Sequence, residues 1–112
     1  MTGPVVIFSN QKGPLPLTAT FKSPSDGPVI LAVSGSAWTQ NRSGQLIGIN
    51  ISVDNKHLGS AIVYCNEPAS HKALIPILLP TQLSFDEHTL TITAQAGTVT
   101  DFNDFFNVVL TF

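Results

Sequence analysis

Asp101-Phe102-Asn103-Asp104 sets three oxygen-bearing side chains within four residues, with Phe105 and Phe106 directly after them. Two chemistries are open to such a cluster. It can ligate calcium, which takes six to eight oxygens, or it can hydrogen-bond sugar hydroxyls while a phenyl ring packs on the apolar face of the sugar. The full spacing of a calcium loop is missing, and the structural alternative is that Asp and Asn tie the loop's own backbone amides through Asx turns. A second candidate is Trp38, followed by Thr39-Gln40-Asn41-Arg42: the indole offers a stacking surface and the amides offer hydrogen bonds. Its alternative is a core tryptophan whose N–H is satisfied at a strand end. Trp38, Asn41, Asp101 and Asn103 are accordingly the candidate ligand-binding residues.

Catalytic and metal chemistry find less support. His57, His71 and His88 lack the close-pair spacings of zinc sites and all fall in predicted turns, so the expectation is three solvent-exposed histidines, no metal site and no cofactor. No Gly-x-Ser-x-Gly elbow surrounds any serine, and the chain is not read as an enzyme. Cys65 is the single cysteine, which excludes an intrachain disulfide and suits a small core residue. The acceptor patterns Asn41-Arg42-Ser43 and Asn50-Ile51-Ser52 are short enough to arise by chance.

Composition bounds the partners. The 112 residues fit one domain spanning 1–112, with 43% hydrophobic residues and only 11% charged, against roughly 25% charged in an average soluble protein. Hydroxyl and amide side chains must cover the surface in place of charges. That fits a chain partly hidden in an oligomer, or one outside the cytosol that meets polar ligands such as glycans. A net charge of −2 with scattered basic residues offers no footprint for a phosphate backbone, so no nucleic acid is expected. The start, through Phe8, has neither the basic nor the long apolar region of a signal peptide, and no apolar run approaches the ~18 residues of a membrane span. An extracellular or surface-associated protein without membrane insertion is expected.

The elements that would position these residues are strands. Leu90, Ile92 and Ala94 alternate with threonines, and Phe106, Val108, Leu110 and Phe112 alternate with Asn107 and Thr111; period two means strands with one buried face. These two runs are expected to pair, since the segment between them is short. Val5–Ser9 and Leu17–Phe21 read as earlier strands. Val29–Trp38, apolar or small on both sides, reads as a central strand covered on each face. Leu46–Val53 points Ile47, Ile49, Ile51 and Val53 inward, and Asp54-Asn55-Lys56-His57 turns it into Leu58–Cys65 as a hairpin. Lys72–Leu79, interrupted by Pro76 and ended by Pro80, belongs at an edge or at a bulge. About eight short strands with frequent turns predict an all-β, antiparallel β-sandwich of jelly-roll type.

Phe21-x-x-Pro24-x-x-Gly27 before the strand from Val29, the hairpin around Asp54-Asn55, and an aromatic loop leading into Phe106-Asn107-Val108-Val109-Leu110-Thr111-Phe112 together resemble the jelly-roll domains of the complement globular-head and tumour-necrosis-factor-like superfamily. The resemblance spans residues 21–112. Where that superfamily usually carries aromatic residues after the glycine, Val29 and Leu31 stand here. It implies a compact homotrimer used for recognition, without catalytic residues, and a central position for the last strand.

Together these readings predict a non-catalytic, oligomeric, lectin-like module that binds a glycan or protein through loops Thr39–Gly44, Asn66–His71 and Thr98–Asp104 at one end. The alternative is a structural assembly unit of a fibre, capsid or sheath with no small ligand.

Overall fold

The computed structural model describes residues 4–112; Met1-Thr2-Gly3, part of the stretch read for a leader, lies outside them. The described residues form nine strands: β1 (Val5–Lys12), β2 (Leu17–Lys22), β3 (Gly27–Ala37), β4 (Gln45–Val53), β5 (Lys56–Cys65), β6 (Lys72–Ala73), β7 (Ile77–Leu83), β8 (Glu87–Ala94) and β9 (Phe105–Thr111). Among the described residues no helix is long and apolar enough to cross a membrane.

One sheet runs β1-β9-β3, with β6 and β7 both pairing along the far side of β3; the other runs β2-β8-β4-β5. All pairings are antiparallel and four of them nest: β4 with β5, β3 with β7, β2 with β8, β1 with β9. This is the pattern of one long hairpin wrapped on itself, and β3–β9 and β4–β8 pairings close the wrap into two sheets. The fold is an antiparallel jelly-roll sandwich. The ninth strand arises because the expected Lys72–Leu79 strand is split at Leu74-Ile75-Pro76 into the two-residue β6 and β7.

Alternation along each strand builds the core between the sheets. Ile47, Ile49, Ile51 and Val53 of β4 all turn inward, as do Leu90 and Ile92 of β8, facing Val29, Leu31 and Val33 of β3 and Phe106, Val108 and Leu110 of β9. Full burial of each such side chain stabilises by about 1.5–3 kcal/mol. Gly35 belongs to this packing. A Cβ there would sit 2.6 Å from the Phe106 ring, so the missing side chain is what lets the phenyl ring approach β3 at this point. The β4–β5 hairpin turns through Asp54 and Asn55, both at positive φ (52° and 66°), a conformation these two residue types tolerate.

Four expectations are corrected. The terminal strands do not pair: β8 lies in one sheet and β9 in the other, because the residues between them cross the sandwich rather than reverse within a sheet. Pro80 does not end its strand. It lies inside β7 opposite Ile30, which an edge strand allows since its outer N–H positions need no partner. His57 and His88 lie within β5 and β8 rather than in turns, and His88 is buried. Finally, within a single copy the described residues cover only one face of β3: Val29, Leu31 and Val33 meet the opposite sheet, while Ile30 on the outer face is 40% exposed.

Candidate functional site

The β3–β4, β5–β6 and β8–β9 connections meet at one end of the sandwich, and backbone geometry holds them there. Trp38, just past the end of β3, exchanges backbone hydrogen bonds with Val99 (3.0 and 2.8 Å). Thr39 is buried and joins all three segments: its Oγ1 donates to the Gly97 carbonyl at 3.0 Å and its own carbonyl accepts from the Ala69 N–H at 2.8 Å. The β1–β2 connection adds a fourth segment, with the Leu15 N–H donating to Thr100 Oγ1 and the Gly13 N–H to the Asp104 carbonyl.

The centre of this end is Asp104, 0% exposed. Its Oδ1 accepts from Ser36 Oγ at 2.7 Å and lies 2.8 Å from His71 Nδ1, and its Oδ2 accepts from the Asp101 N–H at 2.9 Å. An ionised carboxylate only accepts, so the His71 proton sits on Nδ1. His71 Nε2 then faces Asp101 Oδ2 at 3.8 Å. Asp101 and Asp104, from the β8–β9 connection, and His71, from the β5–β6 connection, bring one ligand atom each within 4.8 Å of one another. Serine, histidine and aspartate meet here in the wrong order for a hydrolytic triad. Ser36 donates to the carboxylate and not to the imidazole, so no base stands ready to take the hydroxyl proton.

Each residue named from sequence has a place at this end. Asn41 and Asp101 both serve their own loops. Asn41 Oδ1 accepts from the Ser43 N–H (3.0 Å) while its amide donates to Gln45 Oε1 (3.2 Å), and Asp101 Oδ1 accepts from the Asn103 N–H (2.8 Å). Asx turns therefore account for one oxygen of each. Asn103 is exposed. Phe102, beside it, is 71% exposed, whereas Phe106 is fully buried. Trp38 is partly buried with its ring 5.7 Å from the His71 ring. The expected hydrogen bond from its indole is not made, and Nε1 is buried without a partner. Cys65 is buried and free, its thiol donating to the Glu67 carbonyl at 3.1 Å.

Sequence reasoning missed Ser36 and set His71 aside as a solvent-exposed histidine. Both depend on contacts with Asp104, 68 and 33 residues away along the chain, and neither carries a local motif. The other two histidines lie at the opposite end, where the β4–β5 hairpin tip meets β8. There His88 Nδ1 lies 2.6 Å from Asp54 Oδ2 and Nε2 lies 2.9 Å from the Ser84 carbonyl. Two acceptors around one ring call for the imidazolium form. Burial pushes the His88 imidazole down, but the bonds to Asp54 and Ser84 and the charges of Asp54 and Asp86 outweigh it and leave it raised. The hydrogen bond with His88 holds the Asp54 carboxyl below its ordinary value.

Fold and site define an all-β jelly-roll sandwich with a polar, loop-built end. No protein-family model matches the sequence, and no curated protein matches it. Solved structures of similar fold include dimeric latent PorU from Porphyromonas gingivalis, at 11% identity and TM-score 0.61, covering 96% of this chain and 12% of that one. A beta-glucosidase from Paenibacillus barengoltzii is similar at 13% identity and TM-score 0.54, covering 95% of this chain and 10% of that one. The EclA C-terminal domain, described as a sugar-binding protein, is similar at 14% identity and TM-score 0.50, covering 99% of this chain and 77% of that one. Identities this low establish the fold alone, and the chain spans a small part of the first two proteins. None of the three is described as a complement globular head or a tumour-necrosis-factor-like protein.

Proposed function

We propose that the chain is a non-catalytic recognition module that binds a glycan at its loop end. The observation that carries this reading is the exposed Phe102 ring, held beside Asp101 and Asn103 on a loop that is itself tied by hydrogen bonds from the Asp101 and Asn103 backbone amides. An exposed aromatic face next to amide and carboxylate groups suits a sugar, whose C–H face packs on the ring while its hydroxyls donate and accept. The likeness in fold to a domain described as sugar-binding is a second support.

Screening against a panel of glycans, followed by titration of those retained, tests it. Phe102→Ala and Asn103→Ala are each expected to weaken binding by roughly tenfold, which corresponds to about 1.4 kcal/mol, with Phe85→Ala at the opposite end unchanged. Binding that survives both loop-end variants, or that Phe85→Ala abolishes, would overturn the assignment.

The outer face of the β1-β9-β3-β7 sheet favours self-assembly, either as the trimer that the complement globular-head and tumour-necrosis-factor-like resemblance implies or as a larger structural array. Leu78, Ala32, Val109 and Val6 stand in one row across four strands, by the registers that pair Ala32 with Leu78 and Val109, and Val109 with Val6. Leu78 is 67% exposed. A groove of about 400 Å³ runs beside this row, lined by Ala32, Ser34, Pro76, Leu78, Asn107 and Val109. Copies of the chain packed on this face would remove that surface from water, and repetition would turn weak single sites into useful avidity.

A further inference from the structure

The geometry points to a divalent zinc-class metal site at the loop end, with His71 Nε2 and Asp101 Oδ2 as its protein ligands and Asp104 as the residue that orients the imidazole. The starting observation is a gap. His71 Nε2 and Asp101 Oδ2 face each other at 3.8 Å, too far for a hydrogen bond. It is the separation that two ligands about 2.0–2.2 Å from one ion reach when they subtend a wide angle. The pair is one imidazole and one carboxylate, not a cluster of like-charged carboxylates. An imidazole nitrogen from one loop and a carboxylate oxygen from another are presented to the same point.

What lies behind the imidazole supports a metal. Zinc-binding histidines commonly donate their second ring N–H to a carboxylate, which fixes the tautomer and raises the basicity of the ligating nitrogen. His71 does this: Nδ1 donates to Asp104 Oδ1 at 2.8 Å. Asp104 cannot swing away, because it is fully buried and also accepts from Ser36 and the Asp101 backbone. In the neutral ring the lone pair is then on Nε2, the nitrogen turned to Asp101.

A nitrogen and an oxygen ligand favour zinc or its transition-metal neighbours over calcium, which needs several more oxygens than this site holds. Two protein ligands leave coordination positions for water or for an oxygen of a bound molecule, so the ion is exchangeable.

The test is direct and needs no knowledge of the physiological ligand. Zinc chloride is titrated into the intact chain and followed by calorimetry and by the imidazole nitrogen resonances. One saturable site is expected, with the His71 Nε2 resonance moving and those of His57 and His88 fixed, and no response to calcium chloride at equal concentration. His71→Gln and Asp101→Asn, both in partly exposed positions, are expected to abolish the site with the fold intact. Asp104→Asn is expected to weaken it by roughly 10–100-fold, as loss of an orienting partner does. The inference fails if zinc gives no saturable binding up to millimolar concentration, if binding survives His71→Gln, or if the shifted resonance belongs to another histidine. Glycan binding is tested through Phe102 and Asn103 and zinc binding through His71, so although Asp101 lies beside both sites the two readings fail separately.

Discussion

At the scale of single residues, the two ends of the sandwich use the same device, a histidine clamped by an aspartate, with different consequences. Asp54 reaches from the hairpin tip to His88 and also accepts from the Thr89 N–H at 2.9 Å, while its own N–H donates to the Thr89 carbonyl. The pair therefore fastens β4–β5 onto β8. His88 is raised above its ordinary value of 6.5, so its contribution to stability is full below that value and is lost as pH rises through the folded-state pKa. Asp54 is lowered below 3.8, so its contribution is present above that value and is lost as pH falls through its own folded-state pKa. Stability from this pair is therefore greatest between about pH 4 and 6.5. Urea midpoints measured across pH 5 to 9 should fall on the alkaline side, and His88→Gln should flatten that fall; an unchanged slope in the variant would refute the role given to His88.

Among the elements, β3 and β9 lie inside one sheet with strands paired on both sides of each, and together they bring Gly35 under Phe106. The close approach is set by backbone spacing between paired strands, which neither strand can relax alone. Gly35→Ala would drive a methyl group to within 2.6 Å of the ring and is expected to destabilise by about 1–3 kcal/mol. A lower urea midpoint at unchanged m-value checks this. Because Phe106 follows directly on the Asp101–Asp104 loop and its ring also lies near Gly13, the same strain is expected to disturb the loop end before the hairpin end.

For the whole molecule, the unresolved balance is between a low charge content and an apolar sheet face that one copy leaves in water. Val6, Ile30 and Leu78 are all exposed on the outside of one sheet, and the proposed assembly through that face would cover them. Light scattering behind a sizing column is expected to give a trimer mass, with Leu78→Glu shifting it to the monomer. A wild-type monomer across a wide concentration range would remove self-assembly from the reading and leave a single-site binder. A mass well above a trimer would favour the structural array.

What the sequence determined by itself were the features carried by local period and turn chemistry. Strict alternation placed Ile47, Ile49, Ile51 and Val53 in the core, Asp54-Asn55 marked the hairpin, and Pro76 marked an edge or a bulge, because each depends on neighbours a few residues away. The loops named as a recognition surface also come together, since a jelly roll sends alternate connections to the same end. Only the tertiary structure decided which strands pair across the chain: alternation specifies a buried face but not a partner, so the last two strands were expected side by side and instead lie in opposite sheets. The same limit hid the loop-end cluster. Ser36, His71 and Asp104 each look like an ordinary polar residue in its own segment, and their chemistry arises from burial of one carboxylate where three distant segments converge.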